Sequence, residues 1–331
     1  MRCLVIGGAG YIGAHFVYEA RRQGIEPIVY DNLSRGHRAS IPEGVPFVQA
    51  DLLDAEALRT ALETYDVDAI FHFAAFALVG ESVSQPDLYY RNNTEGVRVL
   101  LDTMRATKSR ASLIFSSTCA VFGEPERLPI AEDDLKRPIS PYGRSKLMAE
   151  WLIDDYCRAY GLKGMALRYF NACGADASAE IGEDHEPETH LIPNILSSVM
   201  AGETLTIFGG DFPTADGTCV RDYVHVTDLA VAHIEAARVL LKRPAGSFDA
   251  IHLGTGVGRS NLELVAAAAR VLGQEVSYKV GPRRAGDPPA LYADNRKARQ
   301  ILQFQPQHSD LDTIFRTALA WHTSHPLGYE S

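Results

Sequence analysis

Three stretches combine residue types and spacing that could do chemistry. Gly7-Gly8-Ala9-Gly10-Tyr11-Ile12-Gly13 follows an apolar run and opens a helical pattern, and it satisfies both G-x-G-x-x-G and G-x-x-G-x-x-G. Glycines there permit a tight turn and a close backbone approach to a pyrophosphate, which the N-terminus of the helix would face. Tyr30-Asp31-Asn32 lies eighteen residues beyond Gly13. A carboxylate at that point accepts hydrogen bonds from adenosine ribose hydroxyls and repels a 2′-phosphate, so NAD is expected rather than NADP. Arg35 and Arg38 are the nearby residues that would suit the phosphorylated form. Tyr142-Gly143-Arg144-Ser145-Lys146 puts a phenol and an ammonium four residues apart, on one face of a helix. A tyrosine of pKa about 10 is a poor base at neutral pH. The ammonium and a cationic nicotinamide would both favour phenolate and lower that value. The pair would then take a proton from a sugar or alcohol hydroxyl during hydride transfer. Ser116-Ser117-Thr118 ends another apolar run. A hydroxyl there could bond both the substrate oxygen and the phenolate, although three such residues also suit an ordinary turn.

The elements that must hold these groups are legible as a pattern. Strand-like runs at Cys3–Ile6, Pro27–Tyr30, Pro46–Gln49, Ala69–Phe73, Ser112–Ser116 and Gly164–Arg168 alternate with helical stretches at Tyr11–Arg22, Ala55–Tyr65, Asp87–Ala106 and Tyr142–Tyr160. Apolar runs separated by helices predict a parallel sheet covered on both faces, an α/β doubly wound, Rossmann-type fold. Asp51, after the third run, could reach the adenine edge or cap the helix from Ala55. Beyond about residue 172 the pattern changes. Residues 175–189 read as an acidic loop, Pro193–Met200 as a helix, 209–217 as a Gly/Asp/Pro loop and Arg221–Arg238 as a strand passing into a helix. The expected organisation is a dinucleotide domain over 1–172, rejoined by parts of 219–255. A smaller, mixed α/β substrate lobe over most of 173–331 would pack on it, with a ligand cleft between the two.

Composition narrows the partners. The 331 residues are 46% hydrophobic, enough for a substantial core without metals or disulfides. Acidic side chains number 42 and basic ones 32, a formal charge of −10, which argues against a general nucleic-acid or anionic-membrane binder. The longest apolar stretch, Ala69 to Gly80, is interrupted by His72 and is too short to span a bilayer. No secretory leader is visible at the N-terminus. Cys3, Cys119, Cys157, Cys173 and Cys219 are odd in number and show neither C-x-x-C nor metal spacing, so reduced thiols, a cytoplasmic location and no metal site are expected.

Together these motifs resemble the extended short-chain dehydrogenase/reductases, and among them the UDP-galactose 4-epimerases. Further matching stretches are His72-Phe73-Ala74-Ala75, Val79-Gly80-Glu81-Ser82, Tyr89 to Asn93, Leu167-Arg168-Tyr169-Phe170-Asn171, Gly182-Glu183-Asp184, Asp216 to Val226 and Arg283-Arg284-Ala285-Gly286-Asp287. The resemblance implies Tyr142 as catalytic base, Lys146 as its partner and Thr118 as the active-site hydroxyl. It implies that Tyr11, Ile12, Asn32, Asp51, Leu52, Phe73, Ala74, Asn92 and Tyr169 join Gly7, Gly10, Gly13, Asp31, Tyr142 and Lys146 around NAD. With Thr118 and Tyr142 at the sugar, Asn171, Leu191, Arg221, Arg284 and Asp287 would hold the UDP moiety, with Phe208 beside the uracil. Arginine's planar fork suits a pyrophosphate, although both arginines could instead be ion-pair residues. The implied reaction is reversible inversion at C4 of UDP-galactose and UDP-glucose, by a homodimer that pairs helices of the first lobe.

There are departures from the resemblance. Ala77 stands where many relatives have Lys, and His190 where some have Asn. Leu291 occupies a sugar-end position filled by a bulky Tyr in some relatives and a small residue in others. Epimerisation of UDP-N-acetylhexosamines or of UDP-arabinose/xylose is the nearest alternative. Nucleotide-sugar 4,6-dehydration would call for acidic residues after the active-site threonine, where this chain has Cys119 and Ala120. A non-catalytic NAD-binding protein would have less reason to keep Tyr142, Lys146 and Thr118 together.

Overall fold

The computed structural model describes residues 1–284 and 287–329. The first part of the chain forms β1 (Arg2–Ile6), α1 (Tyr11–Arg22), β2 (Glu26–Asp31), β3 (Phe47–Gln49), α2 (Ala55–Tyr65), β4 (Ala69–His72), α3 (Val79–Ser84), α4 (Pro86–Tyr89), α5 (Gly96–Ala106), β5 (Ser112–Thr118), α6 (Pro141–Tyr160) and β6 (Lys163–Tyr169). The rest forms β7 (Asn171–Cys173), α7 (Leu191–Ala201), β8 (Leu205–Phe208), β9 (Val220–Arg221), β10 (Tyr223–His225), α8 (Val226–Leu241), β11 (Phe248–Leu253), β12 (Arg259–Ser260), α9 (Asn261–Leu272), β13 (Tyr278–Gly281), β14 (Ala290–Leu291), α10 (Arg296–Leu302) and α11 (Leu311–Ser324).

Seven strands form one parallel sheet in the order β11-β6-β5-β4-β1-β2-β3. β1 alternates between two cores. Cys3 and Val5 pack with Phe16 and Val17 of α1 and with Leu229 and Ala236 of α8. Leu4 and Ile6 pack with Leu58 of α2, Leu100 of α5 and Ile153 of α6. Both faces are therefore dry, which is why these strands read as continuous apolar runs. The strand order reverses at β1, between β2 and β4, and the crevice at the strand C-termini there is where such sheets bind ligands.

The remaining short strands make three small sheets, β10-β7, β12-β9-β14 and β13-β8. Ile192, Ile195, Leu196, Leu264 and Phe315 gather α7, α9 and α11 into a separate core.

The structure differs from the sequence reading at four places. β5 continues to Thr118, pairing Ser117 with Arg168 and Thr118 with Tyr169, so the three hydroxyl residues are strand rather than turn. The stretch 87–106 is not one regular helix: residues 90–95 form a wider π-helical turn. There Asn93 is buried, accepting from Phe76 N at 3.0 Å and donating to Phe76 O at 2.9 Å. Such turns accompany functional sites. The seventh strand, β11, lacked a sequence signal because Phe248, Asp249 and Ala250 are only half-buried. The helix at Ala55 is capped by Asp54, which accepts from Glu56 N and Ala57 N, and not by Asp51.

Candidate active site

The glycine loop is built by close approach. A Cβ on Gly7 would lie 2.3 Å from Ala74 N, and one on Gly13 would lie 2.1 Å from Gly7 O. The loop thus presses on the end of β4, where Phe73 N and Ala74 N both donate to Ile6 O. Gly10 is different: a Cβ there would meet only Gly7 O, at 3.6 Å. Its missing side chain leaves open the space before α1, whose N-terminus has no side-chain cap. That is an anion cradle with free N–H groups, and it fits a dinucleotide pyrophosphate.

Asp31 ends β2 with Oδ2 accepting from Ala9 N at 2.9 Å and Oδ1 from Leu33 N at 2.8 Å. Burial raises this carboxyl group, and the two N–H donors work against the rise. Each oxygen keeps a lone pair for a ribose hydroxyl. Asn32 Nδ2 donates to Asp51 Oδ2 at 2.8 Å, bringing those two candidates together. Arg35 pairs with Glu81, and Arg38 lies over the Phe47 ring. Leu52 turns its side chain into the core against Gly96, so any cofactor contact falls to its backbone. Tyr11 donates to Gly174 O at 2.6 Å, tying the first residue of α1 to the loop after β7. Ile12 packs beneath against the sheet core. Asn92 donates to Asn93 Oδ1 at 2.9 Å.

The start of α6 brings Tyr142 to Thr118 and Lys146 over the Phe115 ring. Ser140 caps the helix through Gly143 N at 3.1 Å, and Pro141 begins it. A Cβ on Gly143 would lie 2.5 Å from Ala120 O, so glycine lets the first turn close onto the segment after β5. Lys146 is 1% exposed, its Nζ has no hydrogen-bond partner, and it lies 4.5 Å from the centre of the Phe115 ring. Burial pushes its ammonium down to about 7, with Glu150 opposing. Burial pushes the Tyr142 phenol up to about 12, with the Thr118 hydroxyl opposing. Any lowering of the phenol must therefore come from the cationic nicotinamide and the Lys146 ammonium. The pocket is dry and Lys146 sits over Phe115, so the fold alone works against phenolate. Tyr169, paired with Thr118 at the end of the sheet, is also buried.

Behind this site the sequence concealed a network. Ser117 Oγ donates to Glu150 Oε1 at 2.5 Å, and Arg168 donates to both oxygens of Glu150. Glu150 follows Lys146 by one helical turn, the spacing that could have singled it out.

In the other lobe Asn171 opens β7, Leu191 opens α7, Phe208 ends β8 and Arg221 ends β9. Arg284 lays its guanidinium 4.3 Å from the Phe208 ring centre. Arg221 is not a free cation: it forms an ion pair with Asp287 and donates to Val220 O at 2.7 Å. Ala285 and Gly286 of that motif lie outside the described residues. Cys119, which follows Thr118, is buried. Burial pushes its thiol up to about 12 while Arg221 opposes, and Cys119 in turn bears on Tyr142. Leu291, beside Arg221 in the β9–β14 pairing, packs with Cys119 and Leu147.

The sequence reading named Glu183 and His190 singly but did not join them with His185 and Glu188, which the structure gathers in the loop before α7. Their alternate spacing, E-x-H-x-x-E-x-H, was the available signal.

The fold and the glycine cradle together define a Rossmann-type nucleotide-binding protein. The model of the NAD dependent epimerase/dehydratase family matches residues 3–247. A UDP-glucose 4-epimerase from Lactobacillus helveticus is 47% identical over 331 residues, all of this chain and 99% of that protein. The crystal structure of UDP-glucose 4-epimerase from Brucella ovis in complex with NAD is 50% identical, with TM-score 0.92 over 96% of this chain and 97% of that one. That of UDP-glucose 4-epimerase from Bifidobacterium longum in complex with NAD+ and UDP is 34% identical, with TM-score 0.93 over 99% and 100%. The chain belongs to the NAD dependent epimerase/dehydratase family.

Proposed function

We propose that this chain is an isomerase that interconverts UDP-galactose and UDP-glucose at C4 through a transient 4-keto sugar. The observation that supports the reading is Tyr142 beside Thr118 at the end of β5, with the buried, unpartnered Lys146 Nζ one helical turn further along α6. NAD, when bound, supplies the hydride acceptor and donor for C4 and a cationic ring that favours phenolate.

Gly7, Gly10 and Gly13 with the N-terminus of α1 would hold its pyrophosphate. Asp31 would hold the adenosine ribose, with Asn32, Asp51, Phe73, Ala74, Asn92 and Tyr169 lining the remainder. Lys146, whose Nζ has no protein partner, would help hold the cofactor and would add positive charge near the phenol when protonated. Tyr142 accepts the C4 hydroxyl proton at its phenol oxygen and returns it after the sugar has turned. Thr118 holds the sugar oxygen in reach. Arg221, Arg284 and Asn171 anchor the UDP, so the hexose can rotate while the nucleotide stays.

The division we favour is an NAD lobe of residues 1–172, rejoined by parts of 219–255, and a UDP-sugar lobe from most of 173–331. The five cysteines, all buried and unpaired, support a cytoplasmic setting. No helix among the described residues is long and apolar enough to cross a membrane. Trp151 and Met148 of α6 are 58% and 39% exposed, which supports a homodimer through that helix, measurable by light scattering.

Tyr142→Phe tests the chemistry. Turnover should fall by about 10²–10⁴-fold, the usual contribution of a general acid–base group, with bound NAD retained. Near-normal turnover would remove Tyr142 from that role. A panel with UDP-N-acetylgalactosamine, UDP-arabinose and UDP-xylose ranks the other sugars.

A further inference from the structure

The loop between β7 and α7 gathers four side chains of metal-ligand type that the proposed reaction does not use. Glu183, His185, Glu188 and His190 each offer one donor atom, and these atoms all lie within 4.8 Å of one another. His190 Nδ1 is 2.8 Å from Glu183 Oε1 and 3.0 Å from Glu188 Oε1. His185 Nδ1 is 3.3 Å from Glu183 Oε1 and 3.8 Å from Glu188 Oε2. Four ligands on one tetrahedral cation, with bonds of about 2.0–2.2 Å, stand about 3.3–3.6 Å apart, so the four separations bracket that geometry.

Other observations point the same way. The Glu183 side chain is 5% exposed, and a carboxylate so far out of water requires compensating charge. His185 Nδ1 is shut off from solvent and makes no hydrogen bond, although both carboxylates face it. The loop itself is held in place. Trp321 Nε1 donates to Glu183 O at 3.2 Å, and the backbone N–H groups of Thr189 and His190 donate to Glu188 Oε1 at 2.6 Å. A Cβ on Gly182 would lie 2.2 Å from the Trp321 ring, so glycine there lets the loop seat on α11. With both imidazoles neutral the four ligands carry two negative charges, which one divalent cation balances.

We propose that Glu183, His185, Glu188 and His190 form a binding site for a divalent transition cation of the zinc type. Two imidazole donors disfavour magnesium and calcium, which take oxygen ligands. Four protein ligands fill a tetrahedron, so the site is structural and leaves no position for substrate. Its place in the fold gives it a task. The Tyr11 ring, at the start of α1, meets the His185 ring edge-on at 6.1 Å between centroids, and His190 directly precedes Leu191 of α7. A cation here ties one loop to both the glycine cradle and the substrate lobe.

The test uses full-length protein purified without metal-affinity resin. Metal content is measured by mass spectrometry, and chelator-stripped protein is then titrated with Co²⁺ and with Zn²⁺. The expected result is one cation per chain, visible d–d absorption of tetrahedral Co²⁺ that Zn²⁺ displaces, and a higher Tm with Zn²⁺. Glu183→Gln and, separately, His185→Ala should each weaken Co²⁺ binding by more than about 100-fold, beyond the 10–100-fold that follows loss of an outer supporting group. Stripped wild-type protein that gives no Co²⁺ bands and no stoichiometric Zn²⁺ binding would overturn the site, leaving a metal-free His/Glu ion network. Bands that survive both substitutions would overturn it too. The wild-type titration decides even if a variant does not fold.

Discussion

Glu150 and Arg168 form a bidentate ion pair inside the molecule, with Nε–Oε1 2.9 Å and Nη2–Oε2 2.6 Å and side chains 3% and 4% exposed. It locks α6 to β6, and through Ser117 to β5, one helical turn from Lys146. Removing one partner leaves a buried charge uncompensated, so Glu150→Ala should cost about 3–5 kcal/mol in denaturant unfolding. A loss below about 1 kcal/mol would show that the pair does not hold the helix.

Lys146 should stabilise function at the expense of the fold. Burial lowers its ammonium to about 7, against about 10.4 in an unfolded chain. Between those values the unfolded chain holds a proton that the folded chain lacks. Stability from this group therefore rises with pH across the window, and the penalty is complete below about pH 7. Lys146→Met, which keeps the volume, should melt higher than wild type at pH 6, with the gap closing by about pH 10, while turnover collapses. A lower Tm at pH 6 would contradict this.

Gly10 and Gly13 should separate folding from cofactor retention. Gly10→Ala has room for its methyl within the fold and keeps an ordinary φ of −80°. It should unfold like wild type yet purify with much less NAD. Gly13→Ala, whose methyl would meet Gly7 O at 2.1 Å, should lose stability as well. Undiminished NAD content in Gly10→Ala would place the pyrophosphate elsewhere.

Arg221→Gln and Arg284→Gln should weaken UDP-sugar binding, measured by calorimetry, while leaving NAD content near wild type. Each loses a charge-assisted contact, typically about 1.5–3 kcal/mol or roughly 10–150-fold in affinity. Equal loss of UDP-sugar and NAD would show that the lobes are assigned wrongly.

How much was legible in the sequence depends on how local the cause is. α1 and α2 have the ends read from periodicity and from flanking Gly and Asp, since helix punctuation is local. Ser116-Ser117-Thr118 suited a turn as well as a strand end because its strand pairing and the Glu150 partner of Ser117 lie far along the chain, the latter 33 residues away. The Arg221–Asp287 ion pair spans 66 residues and no local pattern announces it. The burial that pushes the Tyr142 phenol up was not legible, because composition says nothing of how dry a pocket is. The ligand cluster at 183–190 was local, but a search confined to cysteine spacings passed it by.

The central claim is C4 epimerisation with NAD retained between the two half-reactions. Purified protein, given UDP-galactose and no added NAD, should form UDP-glucose until both are present at equilibrium, followed by chromatography of the nucleotide sugars. No conversion, even with NAD supplied, would contradict the account.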